Sequence, residues 1–261
     1  MTLLSIELRR VLARRLVQVL IGLALVATGV VSVVTYVQTG RPASGEPIAL
    51  VDLWPTSGED PILLMTAFFL AVGALLAGAS VVGAEWRAGS ITTLLTWEPR
   101  RLRVAASKIS SAALAAGVIG LVLQVVFVLA LLPALLDHGS TAGADAAWFW
   151  GMVGGITRIA ALTGLSAALG ASLAMVGRNT AVALGAAFVQ LNLVEGVLRA
   201  WKPGLGRWLL SENVAIFVLG RDVEDLPFSR PPLVAAITLV AYVGAVAVVA
   251  AMLFRRRDVA T

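Results

Sequence analysis

Arg158 and Glu195 are the residues of this chain best placed to do chemistry inside a membrane, because each lies well within an otherwise apolar stretch. An arginine at mid-helix costs about 2.5–3.5 kcal/mol on the insertion scale, so it calls for a protein partner. Counted at helical rise, Arg158 sits about 12 Å and Glu195 about 7 Å from the same end of their spans, near enough for long side chains to meet. Such a pair can lock two helices together, line a substrate path, or relay charge in an ion-coupled secondary transporter. Enzyme chemistry has less to work with. The chain has no cysteine, and its one histidine, His138, sits between Asp137 and Gly139. Neither H-E-x-x-H nor G-x-S-x-G occurs, so no metal site or catalytic nucleophile is expected.

The second chemistry-bearing stretch is residues 83–108, GAEWRAGSITTLLTWEPRRLRVAASK, a charged segment punctuated by Gly and Pro between two long apolar runs. It holds seven charged groups, five of them positive. Gly89 can end the preceding helix and Pro99 limits continuation beyond Trp97. Ser90 to Trp97 then makes about two helical turns, with Ile91, Leu94 and Leu95 as an apolar ridge that can enter a groove on a partner. Arg100, Arg101 and Arg103 can pair with acidic residues or lipid, each exposed pair being worth about 0–1 kcal/mol. Glu85, two residues before Arg87, is expected to bridge to Arg10 or Arg14 near the N-terminus.

The elements that must position these residues follow from composition. Apolar residues make up 59% of the 261 and charged ones 13%, half the share typical of a soluble domain. Six apolar runs, 16–37, 61–83, 109–136, 148–176, 179–200 and 232–254, are each long enough to cross about 30 Å of hydrocarbon as a helix. The expected fold is an all-α polytopic membrane protein, one transmembrane domain over 1–261. The net charge of +5 reflects positives beside apolar runs, which points to topology and anionic headgroups and not to nucleic acid. Arginines and Lys108 gather at one end (Arg9, Arg10, Arg14, Arg15, the 84–108 segment, Arg178, Arg255 to Arg257), so both termini are expected in the cytoplasm.

Two segments are expected not to span. Residues 2–15 form an amphipathic interfacial helix, with Leu4, Leu8, Val11 and Leu12 on one side and Glu7, Arg10 and Arg14 on the other. Residues 202–231 contain an apolar run too short to cross, which suits a re-entrant or interfacial segment on the outer side. Trp54, Trp148, Trp150, Trp201 and Trp208 fall near the outer boundaries, as an aromatic belt would. Gly73 with Ala77, Ala74 with Gly78, Gly164 with Ala168, and Gly170 with Ala171 mark sites of close helix approach. Gln124, Gln190 and Asn192 either bond between helices or face a polar cavity.

The 84–108 segment resembles the loop between the second and third spans of type-2 ABC transport permeases. Glu85, Gly89-Ser90, Leu94-Leu95, Pro99, Arg101 and Lys108 carry the likeness, with Ser90 where Thr is common. The likeness extends to the basic N-terminal helix, to Gly177-Arg178-Asn179 and to Phe254-Arg255-Arg256-Arg257-Asp258-Val259. It implies a dimer of permease subunits in the plasma membrane of a bacterium, with 84–108 as the segment coupled to a separate ATP-binding subunit. The chain has no G-x-x-x-x-G-K-[ST] sequence, so ATP and Mg would bind that partner, and this chain would hold no cofactor. The family mostly exports hydrophobic or amphipathic molecules, including drugs, antibiotics, lipids and peptides. On that likeness the coupling residues are Glu85, Arg87, Gly89, Ser90, Ile91, Leu94, Leu95, Pro99, Arg100 and Arg101.

Overall fold

The computed structural model describes residues 3–40, 62–138, 140, 142–223 and 226–256. Trp54, Pro61 and the Arg257-Asp258-Val259 tail lie outside them. Every regular element described is helical: α1 (Leu3–Leu12), α2 (Arg15–Thr39), α3 (Ile62–Arg87), α4 (Ser90–Trp97), α5 (Arg101–His138), α6 (Ala146–Gly177), α7 (Thr180–Trp201), α8 (Leu210–Leu219) and α9 (Pro232–Arg256). Six of them, α2, α3, α5, α6, α7 and α9, are long and apolar enough to cross a bilayer, which marks a membrane protein.

Runs of apolar side chains force this outcome, since a lipid-bathed backbone must satisfy its own hydrogen bonds. The turns between helices are then set by specific residues. Asp145 caps α6 by accepting from the Trp148 amide at 2.7 Å, and Asn179 caps α7 by accepting from Ala181 at 2.8 Å. Arg178, in the left-handed region at φ 54°, ends α6. Its guanidinium lies over the Trp86 ring, 4.8 Å from the centroid.

The helices differ widely in how far they are enclosed. Of the most apolar stretch of α6, 67% is buried inside the chain; for α2 the figure is 6%. α6 is therefore the axis of the bundle, and it packs most closely against α3 and α5. At the α3 contact small residues are obligatory. A Cβ on Gly78 would overlap the Ala167 carbonyl, and one on Gly170 the Leu75 carbonyl. Gly164 likewise meets Ala113 of α5, whereas nothing packs close to Gly73.

α5 is longer than its apolar run. It begins at Arg101, eight residues before Ile109, so the expected loop is largely helical. Residues 84–87 belong to α3, and residues 101–108 to the first two turns of α5. Pro99 permits this, because its ring ends α4 and leaves the chain extended just before a new helix starts. At the far end Pro133 interrupts the α5 ladder, and the Ser32 hydroxyl of α2 donates to the nearby Ala130 carbonyl.

Candidate functional site

At the basic end of the bundle, α1, α3 and α5 converge on four alternating charges. Lys108 Nζ lies 2.5 Å from Glu85 Oε2 and 3.2 Å from Glu7 Oε1. Arg14 Nη2 lies 3.2 Å from Glu85 Oε1 and also donates to the Val81 carbonyl at 2.8 Å, while its Nη1 donates to the Ser80 carbonyl at 3.0 Å. Arg10 reaches Glu7 at 3.3 Å from a half-exposed position. Lys108 and Glu7 are each only 1% exposed, so this is a buried network. Glu85 is thus bridged to Arg14, at the joint between α1 and α2, and not to Arg10.

Glu7 corrects the expected orientation of α1. It was placed on the outward polar side, but it points inward with Val11, four residues on, and Leu12 is left exposed. Lys108 causes this. A buried ammonium is tolerable only beside carboxylates, and α1 rolls until Glu7 supplies one. Lys108 is the central residue here, and its position directly before the apolar run at Ile109 made it look like a headgroup-level cation.

Beside this network lies α4. Gly89 takes the left-handed conformation at φ 66°, which reverses the chain after α3, and the Ser90 hydroxyl donates back to the Glu85 carbonyl at 3.4 Å. Beyond α4, Arg103 Nη1 pairs with Glu98 Oε2 at 3.3 Å across the Pro99 turn. The expected ridge is turned inward. Ile91 is 2% exposed, in one apolar cluster with Val82, Val104, Ala174, Met175 and Phe254, and Leu94 and Leu95 pack against it. An eight-residue apolar face seeks the nearest apolar surface, and the chain's own bundle end provides it. Arg87, Gly89, Ser90, Pro99 and Arg100 stay exposed, and Arg101 is half-buried.

At the opposite end, Arg158 and Glu195 do not pair. Glu195, 0% exposed, accepts from the amides of Leu210 (2.7 Å) and Ser211 (3.1 Å) and from the Ser211 hydroxyl (2.5 Å). Arg158 Nε donates to the Val218 carbonyl at 3.1 Å, and its guanidinium sits where a Gly220 side chain would be. They hold opposite ends of α8. The acid meets the N-terminus, where amides are unpaired and the dipole is positive, and the base meets the C-terminus, where carbonyls are unpaired. A π-helical turn, Val189–Val194, aims Glu195 inward; the Glu195 amide bonds the Gln190 carbonyl five residues back.

The same end carries further bonds. Arg199 pairs with Glu212 at 2.7 Å, and Arg230 donates to Asn213 Oδ1 at 2.7 Å. Trp150, Trp201 and Trp208 are exposed there, with Trp148 half-buried. Asp222, in the segment before α9, is held below the usual carboxylate range by the Ser229 hydroxyl and the Arg230 amide. Of the mid-span amides, Gln124 donates to Thr66 of α3 at 3.3 Å, and Asn192 bonds its own helix at Phe188. Gln190 is exposed.

A cavity of ≈ 370 Å³ opens between α2, α3 and α5, reaching Thr163 of α6. Leu20, Ala24, Phe69, Gly73 and Ile119 line it, and the surface is almost wholly apolar. Such a space takes a hydrocarbon or aromatic group, not an ion. Among the described residues no cluster of His, Asp or Glu could hold a metal ion.

Comparison with protein-family models and with curated proteins finds no match for the sequence.

Proposed function

We propose that this chain is the membrane subunit of an ATP-driven ABC exporter, working as a dimer with two separate ATP-binding subunits. The observation that carries the reading is α4: a short helix between two spans, braced from behind by α3, α5, α6 and α9. A rigid element at that position transmits a push from a partner into α3 and α5 without bending. The Glu7–Lys108–Glu85–Arg14 network supports the same reading, because it fastens the N-terminal helix to the roots of both spans. ATP and Mg would bind the partner, and the basic end would face the cytoplasm of a bacterial cell. α1 would lie in the inner interface, and α8 would form the interfacial element on the outer side.

The ≈ 370 Å³ apolar cavity favours a hydrophobic or amphipathic cargo such as a drug, antibiotic, lipid or peptide. Secondary transport through Arg158 and Glu195 gains nothing from the geometry, since both are engaged at the ends of α8. The test is reconstitution. The chain is co-expressed with candidate ATP-binding subunits, and any complex formed is purified, placed in liposomes, and assayed for vanadate-sensitive transport of amphipathic dyes. Transport that persists without ATP and follows a proton gradient would overturn the proposal.

A further inference from the structure

α2 is tied to the bundle near its two ends and stands open between them. Near the basic end Val17 is buried with Val11 of α1, Val81 of α3 and Ala115 of α5, and Ile21 packs against the same group. Near the far end the Ser32 hydroxyl donates to the Ala130 carbonyl, and the Tyr36 hydroxyl donates to Asp137 Oδ2 at 3.0 Å. Between Val17 and Thr39 no residue of α2 is buried. The ≈ 370 Å³ cavity lies in this gap. Its floor is Ala74, Ala116, Leu123 and Thr163, all buried, and its rim is Leu23, Phe69 and Val72, all exposed. The Thr163 hydroxyl is spent on its own helix, donating to the Ile159 carbonyl at 2.7 Å, so the floor asks for no polar partner.

We propose that this cavity binds one acyl chain of a membrane phospholipid, which wedges α2 against α3 and α5. The proposal goes beyond the exporter reading and does not depend on it; a cargo using this space would have to displace the chain. Three physical reasons point to an acyl chain. The first is the medium. The exposed rim belongs to helices that cross the bilayer, so hydrocarbon and not water stands at the mouth. The second is shape. Along α2 the cavity runs from Val17 to Ala27, about 15 Å at helical rise, or half of a hydrocarbon core of about 30 Å. Spread over that length, ≈ 370 Å³ is a section of about 25 Å², against roughly 80–110 Å² for a helix about 10–12 Å across. A helix from a second copy can lie over the mouth but cannot enter; a single alkyl chain can. The third is direction. Val17 is at the basic end of α2 and Ala27 at its middle, so the space spans one leaflet, the one at the basic end. Left empty, it would rob its lining of dispersion contacts, and lipid tails, as apolar as leucine, restore them.

The experiment uses the full chain in phosphatidylcholine nanodiscs, a small fraction of the lipid carrying a photoreactive diazirine midway along one acyl chain. Adducts are mapped by mass spectrometry. The expected result is labelling of the buried floor, at Ala116, Leu123 or Thr163, besides the labelling that any lipid gives on the exposed Val19, Val26 and Val30. Gly73 lines the cavity, and nothing lies within 4 Å of a Cβ built there, so Gly73→Leu fills the space and the floor adducts should be lost. Gly22 is exposed, equally open and outside the cavity, so Gly22→Leu should keep them. Labelling confined to the exposed valines, which a second copy seated over the mouth would also produce, overturns the proposal. So do floor adducts that persist in Gly73→Leu. The mapping on the unaltered chain decides the matter even if that variant does not fold, and no result of either kind touches the exporter reading.

Discussion

Both ends of the bundle fasten a short helix with buried charge, but they do it by different means. At the basic end Lys108 and Arg14 are answered by the carboxylates of Glu7 and Glu85. At the other end Glu195 and Arg158 are answered chiefly by backbone, the free amides and carbonyls at the tips of α8, with the Ser211 hydroxyl as a side-chain donor. A side-chain network needs every member, because removing one leaves a partner charged and dry. A charge on a helix terminus needs only that the helix be there and point the right way. The first arrangement is brittle towards substitution, and the second is brittle towards any shift of α8 along its axis.

Replacing Lys108 tests the first arrangement and should have the largest effect. Lys108→Met leaves Glu7 and Glu85 facing each other and should cost about 3–5 kcal/mol, the usual penalty for an orphaned buried charge. Adding Glu7→Met removes the carboxylate left with only the half-exposed Arg10, and most of the loss should return, since Arg14 still serves Glu85. Thermal unfolding followed in detergent measures both. A double variant no more stable than the single would show that charge is not what holds this end.

An intermediate effect is expected at α8. Glu195→Leu forfeits hydrogen bonds to a charged acceptor and should cost about 1.5–3 kcal/mol. Exchanging the two charges (Arg158→Glu with Glu195→Arg) separates terminus capping from pairing. A paired couple would tolerate the exchange. Here each end of α8 would meet the wrong sign, so the double variant should unfold earlier than either single. Equal stability on exchange would erase the distinction between the two ends.

The smallest effect concerns Asp222. Its carboxyl is held below its ordinary pKa, so the stabilisation is complete above that ordinary value and is lost as pH falls through the depressed one. Once corrected for the intrinsic pH dependence of exchange, the protection of the Val223 and Arg230 amides should fall in acid. In Asp222→Asn this pH dependence should disappear.

The same contrast explains how far the residues disclosed the fold. Six spans were readable because an apolar run of that length has one use. The side of α4 that meets the bundle was not, since periodicity says which residues share a face but not what covers it. Ile91, Leu94 and Leu95 were rightly grouped and wrongly aimed. Arg14 was among the partners considered for Glu85, because acids and bases at one bundle end seek each other. Glu7 was misassigned, as its burial depends on Lys108, 101 positions away in a different helix. Arg158 and Glu195 were the hardest. They were paired because each was the other's only visible counter-charge, whereas their true partners, the Ser211 hydroxyl aside, are peptide groups that every residue possesses and no letter of the sequence distinguishes.

The π-helical stretch ahead of Glu195 sets the rotational phase of everything after it. Its wide turn takes up one residue more than an α-helical path would. Forcing all of these residues into an α-helical path would swing the remainder of α7 by about 100° and take Glu195 off the amides of α8. Excising one residue between Val189 and Val194 would instead let the helix wind normally and keep Glu195 in phase. A one-residue deletion is therefore far more tolerable here than in the regular turns of α7.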